Sequence, residues 1–237
     1  MLITTIGSGS SGNCYHISDG QTELLLEAGI NFKTVQKALN FKTNKVKGVL
    51  VTHEHLDHAE FLSQYMAHGL DCYMTPGTAE ATDMDEHHRL HQVKIKEIFV
   101  IDTWIIMPFD VEHDAAEPCG YLLQSELGYK LLFVTDTYYV RYKFKGITHM
   151  MLEINYLYEQ MQRNIQEGKL HPGLARRIMK SHFSLEHASN FLQATDISKL
   201  QAIHLIHLSK NNSNAPLIKD SIQKIAGVPV YIAGGKQ

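Results

Sequence analysis

The first third of the chain alternates between strand-like and helix-like patterns of apolar residues. Helix-like patterns, with apolar residues three and four positions apart, cover 32–39 and 59–68, and Pro76 begins a further helix. Strand-like runs lie at 1–6, 14–17, 23–27, 46–51 and 72–74. The run 46–51 is apolar almost throughout, which is typical of a strand covered on both faces.

The rest of the chain continues both patterns. Helices are predicted at 157–166, 173–180, 184–194 and 214–227, with Ser184 and Asn214 as N-caps. Strand-like runs comprise one that ends at 102, then 104–107, 109–113, 120–125, 130–135, 147–154, 202–208 and 228–232. No repeat or linker interrupts them, so we expect one domain over 1–237. Two sheets packed face to face, with helices outside, would bury every apolar face and give an α/β (α+β) fold.

Composition narrows the class of protein. With 237 residues, 44% hydrophobic and 20% charged, the chain fits a globular domain with a sizeable core rather than a disordered protein. Its net charge of -3 gives no general basic field, so any contact with nucleic acid must be local. No apolar run reaches the ~18–20 residues that cross a bilayer. The three cysteines are far apart and predict reduced, buried thiols in a cytoplasmic protein.

Four possible metal ligands crowd into six residues between a buried strand and a helix. His53, His55, Asp57 and His58 are spaced so that a helix could not present all of them on one face, but a loop at the end of a sheet could. Imidazole and carboxylate suit Zn, Fe or Mn, and four such groups exceed what one ion takes from one loop. The alternative, a merely polar loop, would leave these groups without compensation.

Three further candidates lie at or near the ends of predicted strands. These are His113, Asp136 and His207. Alone, each would more often be an ordinary core or loop residue than a ligand. Their repeated placement at strand ends, together with the first cluster, favours the metal-ligand interpretation.

This ordered set resembles the metallo-β-lactamase fold superfamily, which carries HxHxDH followed by His, Asp and His. The resemblance spans almost the whole chain and implies a four-layer αββα sandwich that holds two divalent ions, Zn or Mn with Fe possible, at one edge of the sheets. The implied first ion is held by His53, His55 and His113, and the second by Asp57, His58 and His207. Asp136 would bridge them.

Two adjacent cations have a chemical consequence that agrees with this division. They need a shared anion to offset their repulsion, and they lower the pKa of a bridging water, which gives hydroxide near neutral pH. Asp57 could also orient that hydroxide, which makes it a candidate catalytic residue.

Several other segments resemble the WalJ (YycJ) branch of the superfamily. They are 7–13, 113–115, 117–121, 153–155, 177–178, 181–184, 207–209 and 211–212. The resemblance implies a DNA-directed exonuclease, or a phosphodiesterase of unassigned substrate. It also implies that Asn155 and Asn211 bind substrate.

Other residues could serve a phosphodiesterase, but each also has an ordinary structural explanation. His182 could donate to a phosphate oxygen or protonate the leaving group, or simply stand beside a helix cap. Ser10 and Ser11 belong to a Ser/Gly run that could bind an anion or form a tight turn. Arg176, Arg177 and Lys180 could meet a nucleic-acid backbone, although a solvated helix face explains them equally well.

Two positions depart from the branch pattern. Glu27 stands where relatives usually have Asp, a residue that supports the metal loop from behind, and Tyr156 stands where they typically have His. Membership of the superfamily does not fix the reaction, so two other functions stay open beside DNA hydrolysis. One is hydrolysis of an acyl compound such as a lactone or thioester, and the other is a non-catalytic binding module stabilised by its metals.

Overall fold

The computed structural model describes residues 1–234, which divide into two compact units. The first comprises Met1–Asp110 and Ala115–Tyr129, and the second comprises Val111–Asp114 and the described chain from Lys130 onward. The single-domain organisation expected from the sequence stays a prediction. Within the described residues, no helix combines the length and apolar character needed to cross a membrane.

The first unit contains a six-stranded sheet in the order β1-β2-β3-β4-β5-β6. Its strands are β1 Leu2–Gly7, β2 Cys14–Ser18, β3 Glu23–Leu26, β4 Val46–Leu50, β5 Cys72–Met74 and β6 Leu90–Gln92. The β1–β2 and β2–β3 pairs are antiparallel and the β3 to β6 pairs are parallel. Leu26 pairs with Leu50, so the chain leaves β3 and β4 at the same edge of the sheet. Glu27 directly follows β3 at this edge, and the segment 53–58, which contains three histidines, follows β4.

Short helices cover one face of this sheet. They are α1 Phe32–Ala38, a 3-10 turn Thr43–Lys45, α2 Leu56–Ala59, α3 Leu62–Ala67 and α4 Pro76–Ala81. Phe32, Val35 and Tyr65 are buried against the apolar residues of the sheet, among them Val49 and Cys72. The helix predicted over 59–68 differs from the structure, because α2 begins earlier and the helix is broken before α3.

Three antiparallel strands complete the first unit: β7 Phe99–Ile101, β8 Trp104–Asp110 and β9 Cys119–Ser125. They pack on the first sheet, where Trp104 Nε1 donates to the Thr22 carbonyl at 3.3 Å and the Tyr121 hydroxyl donates to the Val51 carbonyl at 2.8 Å. The prediction of separate strands at 104–107 and 109–113 is wrong. Pro108 lies inside β8 because its backbone faces away from β9, with its carbonyl accepting from Lys96 N at 2.8 Å.

The second unit is built on four parallel strands in the order β13-β12-β11-β10. The strands are β10 Lys130–Val134, β11 His149–Glu153, β12 Ala202–Ile206 and β13 Val230–Ile232, and the helices are α5 Tyr158–Gln166, α6 Pro172–Ser181, α7 Leu185–Ala194 and α8 Ala215–Ala226. The predicted N-caps are confirmed, since Ser184 accepts from His187 N and Asn214 accepts from Leu217 N. His207 lies just after β12 rather than within it. The pairing of Glu153 with Ile206 aligns the carboxyl ends of β11 and β12.

Candidate metal centre

The four ligands predicted in the first unit lie close together, and we call them the loop cluster. His53, His55, Asp57 and His58 follow β4 and extend into α2. The ring centroid of His53 is 4.2 Å from that of His58 and 4.7 Å from that of His55. Both His53 and His58 are 1% exposed, so their imidazoles are withdrawn from water.

The fully buried carboxylate of Glu27 contacts the loop cluster from behind. It accepts from Thr52 Oγ1 at 2.7 Å and from Thr52 N at 3.3 Å, and its Oε1 lies 3.5 Å from His58 Nδ1. Thr52 Oγ1 also lies 2.9 Å from His53 Nδ1. Because the single hydroxyl proton is donated to Glu27, His53 Nδ1 is the donor to this oxygen. That arrangement leaves the Nε2 lone pair of His53 for a metal ion.

The Ser/Gly run before Asn13 helps hold the loop cluster in place. Asn13 Nδ2 lies 3.1 Å from the Asp57 carbonyl and 3.2 Å from His58 Nε2, while its Oδ1 accepts from Gly9 N at 2.8 Å. Gly29 makes a close approach on the other side, since a Cβ there would lie 1.8 Å from the Asp57 carbonyl oxygen. The turn therefore has a structural role, and Ser10 and Ser11 are exposed on it.

The second unit contains what we call the strand-end cluster. Asp136, Glu153, His182 and His207 each offer one ligand atom within 4.8 Å of the others. His182 Nδ1 lies 2.6 Å from Glu153 Oε1 and 3.2 Å from Asp136 Oδ1. His207 Nδ1 lies 3.3 Å from the same Glu153 oxygen. The structure thus brings three predicted residues together and adds Glu153, which the sequence analysis quoted only as part of a motif.

His113 lies beside this cluster in the same unit. Its Nδ1 lies 3.0 Å from the Ser181 carbonyl, which can only accept, so Nδ1 carries the proton and Nε2 offers a lone pair. Its ring meets that of His182 edge to face at 5.5 Å. Asp114 accepts from Arg177 Nε at 2.6 Å and from Ser181 Oγ at 2.8 Å. Arg177 therefore stabilises the segment that carries His113, while Arg176 and Lys180 are exposed.

His182 and Glu153 form a buried ion pair. Burial lowers the pKa of His182, but the nearby carboxylates of Glu153 and Asp136 outweigh it and raise the pKa above its ordinary value. Burial raises the pKa of Glu153, but the charge and hydrogen bond of His182 outweigh it and leave the pKa below its ordinary value. This ion pair holds the His182 ring next to the predicted ligand Asp136.

Two of the predicted substrate-binding asparagines are engaged by the protein itself. The Asn155 side chain donates to the His207 carbonyl at 3.1 Å and so holds a predicted metal ligand. Asn211 is exposed, and its carbonyl accepts from Asn164 Nδ2 at 2.9 Å. Their contact with substrate stays a prediction. Tyr156 is buried, which raises its pKa to about 12, so its phenol does not supply the acid–base chemistry of a histidine.

Three residues of the site have backbone conformations that non-glycine residues rarely adopt. Glu27, Asp136 and His207 have φ of 69°, 47° and 52°. Each comes directly or almost directly after the strand that carries it, so the left-handed turn redirects its side chain at the strand end. Such strain persists where the surrounding structure enforces it, and it is common at functional sites.

The donor sets of both clusters fit divalent transition ions. Imidazole nitrogens and carboxylate oxygens are the ligands that Zn, Mn and Fe accept, and the second nitrogen of His53 and of His113 is fixed by a hydrogen bond, as is usual for metal-bound histidines. Each cluster lies at the end of a strand of its unit.

Comparison with known proteins identifies the family. Residues 22–205 match the family described as the beta-lactamase superfamily domain. The chain belongs to this superfamily. Exodeoxyribonuclease YycJ of Bacillus anthracis is 28% identical over 240 residues, which cover 94% of this chain and 88% of that protein. Exodeoxyribonuclease WalJ of Streptococcus pneumoniae is 29% identical over 228 residues, which cover 88% and 81%.

Solved structures agree on the fold. The metallo-β-lactamase fold protein YhfI of Bacillus subtilis superposes with a TM-score of 0.74 at 14% identity, covering 98% of this chain and 95% of that one. The predicted metallo-β-lactamase fold is therefore confirmed. The chain is a metal-dependent hydrolase of the beta-lactamase superfamily, related to the YycJ and WalJ proteins.

Proposed function

We propose that this hydrolase is a two-metal phosphodiesterase that acts on the ends of DNA. The observation that carries the proposal is the strand-end cluster, in which the predicted ligands Asp136 and His207 lie beside the ion pair of His182 and Glu153. The two relatives named exodeoxyribonucleases, which match most of the chain, support DNA as the substrate.

The proposal divides the ligands as the superfamily pattern implies. His53, His55 and His113 would hold one ion, Asp57, His58 and His207 would hold the other, and Asp136 would be a ligand shared by the two. The ions are zinc or manganese, and when bound they supply an activated water and neutralise charge on the phosphate. A phosphodiester suits this chemistry because its non-bridging oxygens are anionic and its leaving oxygen develops charge.

His182 acts as the proton donor in this proposal. Its Nδ1 is fixed by Glu153, so the opposite ring nitrogen is directed away from that carboxylate and can donate to a phosphate oxygen or to the leaving oxygen. Asp57, whose side chain is 24% exposed, orients the attacking water. Ser10, Ser11, Asn155 and Asn211 are proposed to contact the substrate.

A substrate panel with metal analysis tests the proposal. The purified protein should contain two equivalents of zinc or manganese by elemental analysis, and it should hydrolyse bis-p-nitrophenyl phosphate and labelled DNA but neither nitrocefin nor a thioester. The double variant Asp57→Ala, His58→Ala should lose at least a hundredfold in both phosphodiester activities. His91→Ala changes an exposed histidine outside the site and should retain them. Turnover of a thioester without phosphodiester cleavage would contradict the proposal.

A further inference from the structure

The second unit has a cavity that no metal ligand of the proposed function lines. It has a volume of about 530 Å³, within the range of small-molecule sites, and lies between the segment 138–143 and one face of α7. Phe183 and Phe191 line it, with their rings 6.0 Å apart, and both are almost completely buried. The wall of the cavity thus includes two aromatic rings.

The segment beside this cavity interleaves aromatic and basic residues. It reads Tyr138-Tyr139-Val140-Arg141-Tyr142-Lys143-Phe144-Lys145. Tyr138 is 38% exposed and Tyr139 is 55% exposed, so their rings are accessible at the cavity. Arg141 is ion-paired with Glu112, and Lys143 is exposed. Lys143 and Lys145 are thus exposed cations close in sequence to accessible aromatic rings.

The cavity adjoins the strand-end cluster through the chain itself. Phe183 directly follows His182, and Tyr138 is two residues after Asp136. Consecutive Cα atoms are only about 3.8 Å apart, so the Cα atoms of these two lining residues lie within about 8 Å of those of His182 and Asp136. All the lining residues belong to the same unit as the cluster.

We propose that this cavity is a base-binding subsite for a single-stranded nucleic acid. A planar base stacks on Tyr139, and Lys143 faces the phosphate of the adjoining backbone. Stacking on aromatic rings combined with basic side chains is how proteins hold single strands without reading their sequence. The inference rests on the proposed function and adds to it the form of the substrate, which is a single-stranded end with its bases unpaired.

Binding measurements separate the bases from the backbone. The full-length protein with its metals is titrated against two fluorescent oligomers of equal length and charge, both with phosphorothioate linkages that resist cleavage. One is oligothymidylate and the other consists of abasic residues. The wild type should bind oligothymidylate about tenfold more tightly than the abasic oligomer. Tyr139→Ala should lose that preference, and Tyr139→Phe should keep it because the ring remains.

Tyr158→Ala is the matched control, since Tyr158 is 50% exposed on α5 and does not line the cavity. It should bind both oligomers as the wild type does. Equal affinity of the wild type for the two oligomers would overturn the inference. So would a loss in Tyr139→Ala that is as large for the abasic oligomer as for oligothymidylate.

Hydrolysis of bis-p-nitrophenyl phosphate distinguishes this inference from the proposed function. Tyr139→Ala should retain the metal content of the wild type, because Tyr139 is not one of the proposed ligands, while its KM for single-stranded DNA should rise about tenfold. A wild type that hydrolyses neither phosphodiester but prefers oligothymidylate would contradict the proposed function and support the subsite. A wild type that cleaves DNA and has the same KM as Tyr139→Ala would contradict the subsite alone.

Discussion

The carboxylate of Glu27 stands behind both buried histidines of the loop cluster. It reaches His53 through Thr52 and lies 3.5 Å from His58 Nδ1. The longer side chain thus makes the supporting contacts expected of the shorter aspartate in relatives. Its oxygens accept hydrogen bonds from groups that are buried away from water. Removing the Glu27 side chain would leave these donors without an acceptor, which costs free energy.

We predict that Glu27→Ala lowers the free energy of unfolding by about 1–3 kcal/mol and weakens metal binding about 10- to 100-fold. Glu27→Asp should retain most of both, because aspartate keeps the charge and tolerates a positive φ better than most residues. Urea unfolding and isothermal titration with the metal would measure these changes. Equal metal affinity in Glu27→Ala and the wild type would show that Glu27 has no supporting role.

At the same scale, sequence patterns located most candidate ligands but not Glu153. Clusters such as 53–58 stand out because several metal-binding side chains crowd one loop. Glu153 is a single carboxylate at the end of the apolar run Met150-Met151-Leu152. An acidic residue ending such a run is the available signal. It becomes specific only when the pairing of β11 with β12 brings His207 beside it and the end of α6 places His182 there.

At the scale of elements, the break between α2 and α3 has a specific cause. The Asp57 carbonyl, which would accept from Phe61 N in a continuous helix, accepts instead from Asn13 N at 2.8 Å. Phe61 N donates to the Ala28 carbonyl at 3.0 Å. The apolar spacing over 59–68 predicts a continuous helix, because the spacing of apolar residues does not depend on hydrogen bonds to distant parts of the chain. The hydrogen bonds that interrupt the helix connect this part of the chain to the segments around Asn13 and Ala28.

The close approach at Gly29 makes this junction sensitive to a single methyl group. We predict that Gly29→Ala destabilises the protein by about 3 kcal/mol and displaces Asp57, because a Cβ would overlap the Asp57 carbonyl. Gly128→Ala is the control, since Gly128 has a positive φ but open space around it, and it should cost about 1 kcal/mol. Thermal unfolding and phosphodiester turnover would measure both effects. Similar losses in the two variants would exclude the steric explanation.

Asp19 links turns of the first unit and gives this unit a pH-dependent stability. Burial raises its pKa, but hydrogen bonds from Ser125, Thr103 and two backbone N–H groups outweigh it and lower the pKa from 3.8 to about 2. A lowered folded-state pKa stabilises the protein above pH 3.8, and this stabilisation is lost as the pH falls toward 2. The full contribution is about 2 kcal/mol.

We predict that Asp19→Asn is less stable than the wild type by about 2 kcal/mol at pH 6 and that the difference narrows between about pH 4 and pH 2. Urea unfolding across this range would measure it. A difference that stays constant with pH would show that hydrogen-bond geometry, rather than the charge of Asp19, accounts for the loss.

At the scale of the whole molecule, the candidate ligands come from both halves of the chain. Hydrophobic patterning predicted most strands and helices, including the apolar parallel strands of the second unit. It missed β6, where His91 and Gln92 are exposed and no apolar run marks the strand. It also placed His207 inside a strand, because the apolar run continues through Leu208. The left-handed turn that ends β12 occurs at a histidine rather than at a glycine, so the sequence does not indicate it.

Because metal binding favours the folded state by mass action, we predict that a strong chelator lowers the melting temperature and abolishes phosphodiester turnover. At a free ion concentration of 100 times Kd, each site adds about 2.7 kcal/mol to the free energy of unfolding. Differential scanning calorimetry before and after adding zinc or manganese back would measure this. An unchanged melting temperature in the chelated protein would contradict tight binding of structurally linked ions.

At Asp136 and His207, the positive φ angles set the stability of the backbone against the needs of the proposed metal site. Glycine would relieve the backbone strain at each position but would remove the side chain that the site needs. Selection for stability alone would therefore favour loss of function here, since stabilising changes at active sites commonly reduce activity. In a library of variants ranked only by resistance to unfolding, glycine at these two positions would mark variants that are no longer selected for activity.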